Sequence, residues 1–107
     1  MPLVAHPRIH DQPKYPFAVR FGRNLARLRE KHGGLTQEEL GMRAELHRTA
    51  VGQLERGERT ARADTLLKLA GSLGVSTEEF FKGIEYEPSV RTVGLLKVAE
   101  DEEQPEP

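Results

Sequence analysis

Three polar residues within six positions, Arg48, Thr49 and Gln53, offer the plainest chemistry in this chain. A guanidinium, a hydroxyl and a carboxamide on one short segment are the groups that hydrogen-bond base edges in a DNA groove. Arginine can bridge O6 and N7 of guanine, and glutamine can bridge N6 and N7 of adenine. His47 just before them can join the set, although His47 or Thr49 could equally cap the helix that starts there. Other chemistries lack their residues. Catalysis needs acid, base or nucleophile positioned together in a pocket. His6, His10, His32 and His47 have no spacing that suggests a triad or a metal cage, and cysteine is absent. The glycines form no phosphate-binding loop. The expectation is a protein with no catalytic residues, no metal and no cofactor.

The elements that position these residues can be traced from the same stretch. Thr36 lies three residues before Glu39, the spacing of a capping box that opens a helix. Leu40 and Ala44 give that helix one apolar stripe. The pattern breaks near Glu45–Leu46. A second helix begins at His47 or Arg48, turns Val51 and Leu54 inward and stops at Gly57. Two short helices joined by a tight turn have the helix-turn-helix layout, with Arg48, Thr49 and Gln53 on the outer side. Upstream, Ala18, Phe21, Leu25 and Leu28 fall 3, 4 and 3 apart, which predicts a helix over 17–32 that ends at Gly33-Gly34. Downstream, Leu66, Leu69, Ala70 and Leu73 predict a fourth helix that ends at Gly74. Ser76 and Glu79 have a second capping-box spacing, which predicts a short fifth helix burying Val75 and Phe80 with Phe81 beside them.

The runs LTQEEL, LHRTAVGQLERG and TLLKLAGSLGVSTEEFF together resemble the Xre/Cro family of phage-repressor-like DNA-binding domains over residues 17–81. The resemblance implies an all-α, five-helix domain whose third helix enters the major groove. It also implies a sequence-specific double-stranded DNA-binding regulator, a dimer with two reading helices about 34 Å apart. By position it implies that Gln37 bonds a phosphate at the start of the second helix, with Arg43, Arg56, Arg59 and Arg62 as further phosphate partners. Arg29 matches a position that pairs with the glutamate of the Glu-Arg-Gly block, here Glu55. Three departures stand out. Glu45 occupies a turn position usually held by glycine, which costs roughly 1 kcal/mol if the backbone is left-handed there. Gly41 and Gly52 lie inside helices, Gly41 to allow close approach and Gly52 in place of a DNA-facing side chain. Thr60-Ala61-Arg62 replaces the usual Asn-Pro-Ser entry to helix four. These departures, with the acidic tail, motivate the alternative of an antitoxin-like protein-interaction module of the same fold with weak or no DNA binding.

Composition bounds the rest. At 107 residues the chain holds one small domain with tails. Its net charge of −1 conceals an asymmetry. Residues 1–84 carry 14 basic and 10 acidic residues, a net +4, whereas 85–107 carry 2 and 7, a net −5. Residues 1–16 hold four prolines and read as a mobile arm whose Arg8 and Lys14 could touch phosphate. The domain is expected over 17–84, with an extension over 85–107. In that extension 89–99 is expected to be ordered, as a helix or, the favoured reading, as a strand with Val90, Thr92, Leu96 and Val98 on one face, needing a partner in a second subunit or on the domain. Five acids in 100–107 predict a disordered end. No apolar run approaches a membrane span and no secretory leader is evident, so a cytoplasmic protein without a membrane partner is expected.

Overall fold

Pro16 sets the start of the first helix. In the computed structural model, which describes residues 15–89 and 93–99, α1 spans Tyr15–Lys31. It begins two residues before the expected Phe17. Proline is tolerated in the first turn because the N–H it lacks would have had no intrahelical acceptor. The expectations for residues 1–14, for Val90 and Thr92, and for 100–107 lie outside the described residues.

Helix α2 spans Gln37–Ala44 and opens with both bonds of the capping box. The Glu39 N–H donates to Thr36 Oγ1 at 3.0 Å, and the Thr36 N–H donates to Glu39 Oε1 at 2.8 Å. Glu45 then adopts the left-handed conformation, φ 59°, so the expected strain is present. The turn folds back tightly: the Leu46 N–H donates to the Gly41 carbonyl at 2.7 Å. A Cβ on Gly41 would lie 2.8 Å from the Leu46 carbonyl oxygen, which explains glycine inside this helix. Helix α3 spans Arg48–Glu55 and α4 spans Ala63–Leu73. Arg62 at the start of α4 makes no side-chain capping bond, the result of the altered entry sequence. Gly74 ends α4 with φ 70°.

The all-α, five-helix expectation needs two corrections. The fifth segment, Thr77–Phe81, is a 3-10 helix rather than an α-helix. Its Ser76 hydroxyl caps the Glu78 N–H at 3.2 Å, one residue short of a capping box, as suits the tighter winding. Beyond it lies an antiparallel hairpin of β1, Ile84–Glu87, and β2, Leu95–Val98. The predicted strand is therefore shorter than 89–99, and its partner is β1 of the same chain. Ile84 faces Val98 and Tyr86 faces Leu96 on one side of the ladder. On the other side Lys97 bridges Glu85 and Glu87 at 3.6 and 3.3 Å. Ile84 packs on the domain core, the Ala99 N–H donates to the Gly83 carbonyl at 2.7 Å, and Arg20 of α1 donates to the Ala99 carbonyl at 3.2 Å. The sheet thus joins the expected domain to its extension.

One core unites the helices. Phe21, Leu25 and Leu28 of α1, Leu40 of α2, Val51 and Leu54 of α3, Leu69 and Leu73 of α4, and Phe80 bury together. Phe21 stacks on Phe80 at 5.7 Å between ring centroids, so these aromatics are core. Asn24 is fully buried among them and satisfied: its Nδ2 donates to the Phe80 and Lys82 carbonyls at 2.9 and 3.0 Å, and its Oδ1 accepts from Arg27. Two buried donors and an acceptor so matched tie the 3-10 turn to α1. Where α1 crosses α3 the contact is closer still. A Cβ on Gly22 would collide with the carbonyl oxygens of Leu54 and Glu55, so the two backbones touch. No helix among the described residues is long and apolar enough to cross a membrane.

Candidate nucleic-acid interface

The candidate site is the side of α2 and α3 that faces away from α1 and α4. Val51 and Leu54 are buried against the core, which turns Arg48, Thr49 and Gln53 outward. His47 is the N-cap of α3; its Nδ1 accepts the Thr49 N–H at 3.2 Å. His47 therefore caps α3 through Nδ1, while the Thr49 side chain lines a shallow hollow between the helices. Gln37, Arg48 and Arg56 line the same hollow.

Behind it lies the Arg29–Glu55 pair, brought together across α1 and α3. The guanidinium grips the carboxylate with two bonds, Nε to Oε2 at 2.6 Å and Nη2 to Oε1 at 3.0 Å. A third N–H is used as well: Arg29 Nη1 donates to the Leu35 carbonyl at 2.7 Å. The two side chains are only 13% and 7% exposed, and the bonds to Glu55 raise the Arg29 pKa above its ordinary value. Gln37 joins this network, its Nε2 donating to Glu55 Oε1 at 2.8 Å. One hydrogen of that amide remains for another acceptor, and the backbone N–H groups at the start of α2 lie beside it.

The surface arginines are held differently. Arg48 lies 3.5 Å from Glu38, Arg62 lies 3.4 Å from Asp64, and Arg56 meets Glu58 at 2.7 Å. All six side chains are more than half exposed. The Arg56 bond holds the Glu58 carboxyl below its ordinary range. Arg59 Nη1 donates to Gln53 Oε1 at 3.2 Å. Arg43 stands apart: six residues of rise, about 9 Å, separate it from Gln37, and it does not line the hollow. Glu38 and Glu58 join the site as partners of Arg48 and Arg56; Glu58 lies two residues after its arginine, whereas Glu38 is ten residues away and meets Arg48 only in the fold. Gly52 lies beneath two of the candidate contact residues. It is buried, and a Cβ there would lie 3.0 Å from Arg56 Nη1 and 3.4 Å from Gln37 Oε1. Both atoms are the ends of flexible side chains, so glycine here leaves room for Gln37 and Arg56 on the same side of the helix. Among the described residues no group of three or more His, Cys, Asp or Glu could hold a metal ion.

A helix-turn-helix family model matches residues 25–80, which spans α2, α3 and α4 together with the C-terminal part of α1 and most of the 3-10 turn. The chain belongs to the helix-turn-helix family. Control protein C.MunI of Mycoplasma sp is 35% identical over 69 residues, 64% of this chain and 93% of that protein. The HTH-type transcriptional regulator y4dJ of Sinorhizobium fredii is 47% identical over 58 residues, 54% of this chain and 74% of its own. Among solved structures, the restriction-modification controller protein C.AhdI from Aeromonas hydrophila aligns with a TM-score of 0.60 at 40% identity, covering 63% of this chain and all of C.AhdI. The helix-turn-helix unit and its flanking helices are thus the shared part.

Proposed function

We propose that this helix-turn-helix protein is a homodimeric transcriptional regulator of the controller type, binding double-stranded DNA in a sequence-specific way with α3 in the major groove. The observation that carries the reading is the division of α3 into two sides. Its inner side is locked to α1 by Arg29 and Glu55, and its outer side presents Arg48 and Thr49 to solvent. A rigid back and an exposed polar front are what base reading requires, because a reader must keep its geometry to distinguish donor from acceptor patterns. In this reading Arg48, Thr49 and Gln53 face bases. Gln37, Arg56 and Arg62 anchor phosphates on either side, with Arg43 a more distant phosphate partner and His47 serving through its cap. Phosphate contacts position the domain, and base contacts select the sequence. The controller type is favoured by the kinship with C.MunI and C.AhdI.

The test is selection of bound duplexes from a random pool, with sedimentation of the free protein alongside. Enrichment of two related half-sites about 34 Å apart, bound by a dimer and weakened by salt, is the expected result. A pool that stays random after repeated rounds would remove the reading.

A further inference from the structure

We infer that Arg59 sets which base Gln53 reads, turning a residue type suited to adenine into a reader of guanine. The inference rests on α3 being the reading helix, and it begins with how the chain leaves that helix. Gly57, with φ 75°, reverses the backbone, and two bonds fasten the reversal: Gly57 N–H to the Leu54 carbonyl at 3.1 Å and Glu58 N–H to the Gln53 carbonyl at 2.9 Å. This is the doubly bonded glycine ending of a helix, and it leaves little freedom in the two residues that follow. A Cβ on Gly57 would lie 2.8 Å from Val19 Cγ2, so the reversal is also pressed against α1. Arg59 is therefore delivered beside Gln53, six residues back, by main-chain geometry.

The bond between them has one sense. A guanidinium has only donors, so the atom at 3.2 Å from Arg59 Nη1 must be the amide oxygen of Gln53. That assignment turns the Gln53 Nε2, with its two hydrogens, away from Arg59. Bidentate reading of adenine requires the opposite arrangement, with the oxygen open to the N6 amino group and the nitrogen on N7. The oxygen keeps a second lone pair, but an amino group approaching it would meet the remaining N–H groups of a cation, donor against donor. Guanine presents two acceptors, O6 and N7, and no donor on that edge. The Gln53 amide and the spare Arg59 donors form a donor-only surface that matches it. Arg59 is thus a positioning residue for the reader, a different role from the phosphate anchor that its place in the loop suggested.

The experiment is duplex selection with the full chain and with Gln53→Ala, Arg59→Ala, Arg59→Lys and the Gln53→Ala/Arg59→Ala double variant, each checked for a parent-like melting curve. The parent should enrich guanine at one base pair, and Gln53→Ala should lose that preference. Arg59→Ala should move the same pair toward adenine, a change on the order of tenfold in relative affinity. Arg59→Lys, which can still donate to the oxygen, should keep guanine. In the Gln53→Ala background, removing Arg59 should alter no base preference. Adenine at the Gln53-dependent pair of the parent would overturn the inference, as would guanine retained by Arg59→Ala. A base preference lost on removing Arg59 from Gln53→Ala would make Arg59 a direct reader and likewise overturn it. Failure of the parent to enrich any sequence would sink the DNA-reading role of α3 and this inference with it, an outcome distinct from an enriched site with the wrong base.

Discussion

Two sets of arginine–carboxylate pairs lie within a few residues of one another, and they do opposite work. Arg29 and Glu55 are nearly sealed from solvent, joined by two bonds, and tied further to the Leu35 carbonyl and the Gln37 amide. Arg48–Glu38, Arg56–Glu58 and Arg62–Asp64 lie in open water on the outer surface. A buried pair is costly to break because the survivor is stranded in a low-dielectric setting. An exposed pair is worth about 0–1 kcal/mol, since water serves either partner nearly as well. The buried pair therefore fixes where α3 sits, and the surface pairs hold arginines in readiness without committing them. An arginine so held can exchange a carboxylate for a phosphate or a base with little change in its own energy. Arginine with a carboxylate makes a clamp in one place and a releasable contact in the other, and burial separates the two.

The comparison can be broken most decisively at Glu55. Glu55→Ala should destabilise the fold by about 3–5 kcal/mol, because it leaves the Arg29 guanidinium buried without its partner. Urea unfolding measures this directly, and a parent-like midpoint would mean that the pair contributes nothing. On the exposed side, Arg48→Ala should cost about 1–3 kcal/mol of affinity for the selected duplex and relax one base pair, with the melting temperature unchanged. Melting that fell along with affinity would show that the surface pairs are structural after all. Glu45→Gly leaves both sets of pairs intact and relieves the left-handed turn, so a gain of up to about 1 kcal/mol in stability is expected with unaltered sequence preference. The smallest effect belongs to Glu58→Gln. It should leave thermal stability at the parent value and modestly tighten binding to random duplexes at low salt, since Arg56 loses a competitor for phosphate. Titration at two ionic strengths checks it; equal affinities for both proteins would mean that Glu58 does not compete.

Much of this organisation is legible in the chain. Thr36 with Glu39, and Gly57 after Leu54, mark local hydrogen-bond demands that any neighbouring sequence must meet, so α2 and α3 fall where expected. The Arg29–Glu55 pair spans 26 positions and follows only from the family resemblance, because no local rule links residues that far apart. What escaped the sequence depended on tertiary approach. The side-chain ends of Gln37 and Arg56 that lie over Gly52 come into view only in the folded chain. Gly22 and Asn24 sit in an ordinary helical pattern and gain meaning only from what crosses them. The β-branched and apolar run around Leu95–Val98 marks β2, but its partner Ile84–Glu87 alternates apolar with acidic side chains in only four residues, too short a signal to stand out.

The backbone contact at Gly22 has a consequence for how such a protein changes over generations. Because α1 and α3 meet main chain to main chain, with the clamp of Arg29 and Glu55 beside them, the pose of α3 is set by groups that face inward. The outward side chains have almost no part in holding it. Arg48, Thr49 and Gln53 can then be exchanged, singly or together, while the helix keeps its angle and depth. Such a scaffold separates inheritance of shape from inheritance of surface: a lineage can change its outer residues freely, whereas a single methyl group at Gly22 would force α1 and α3 apart.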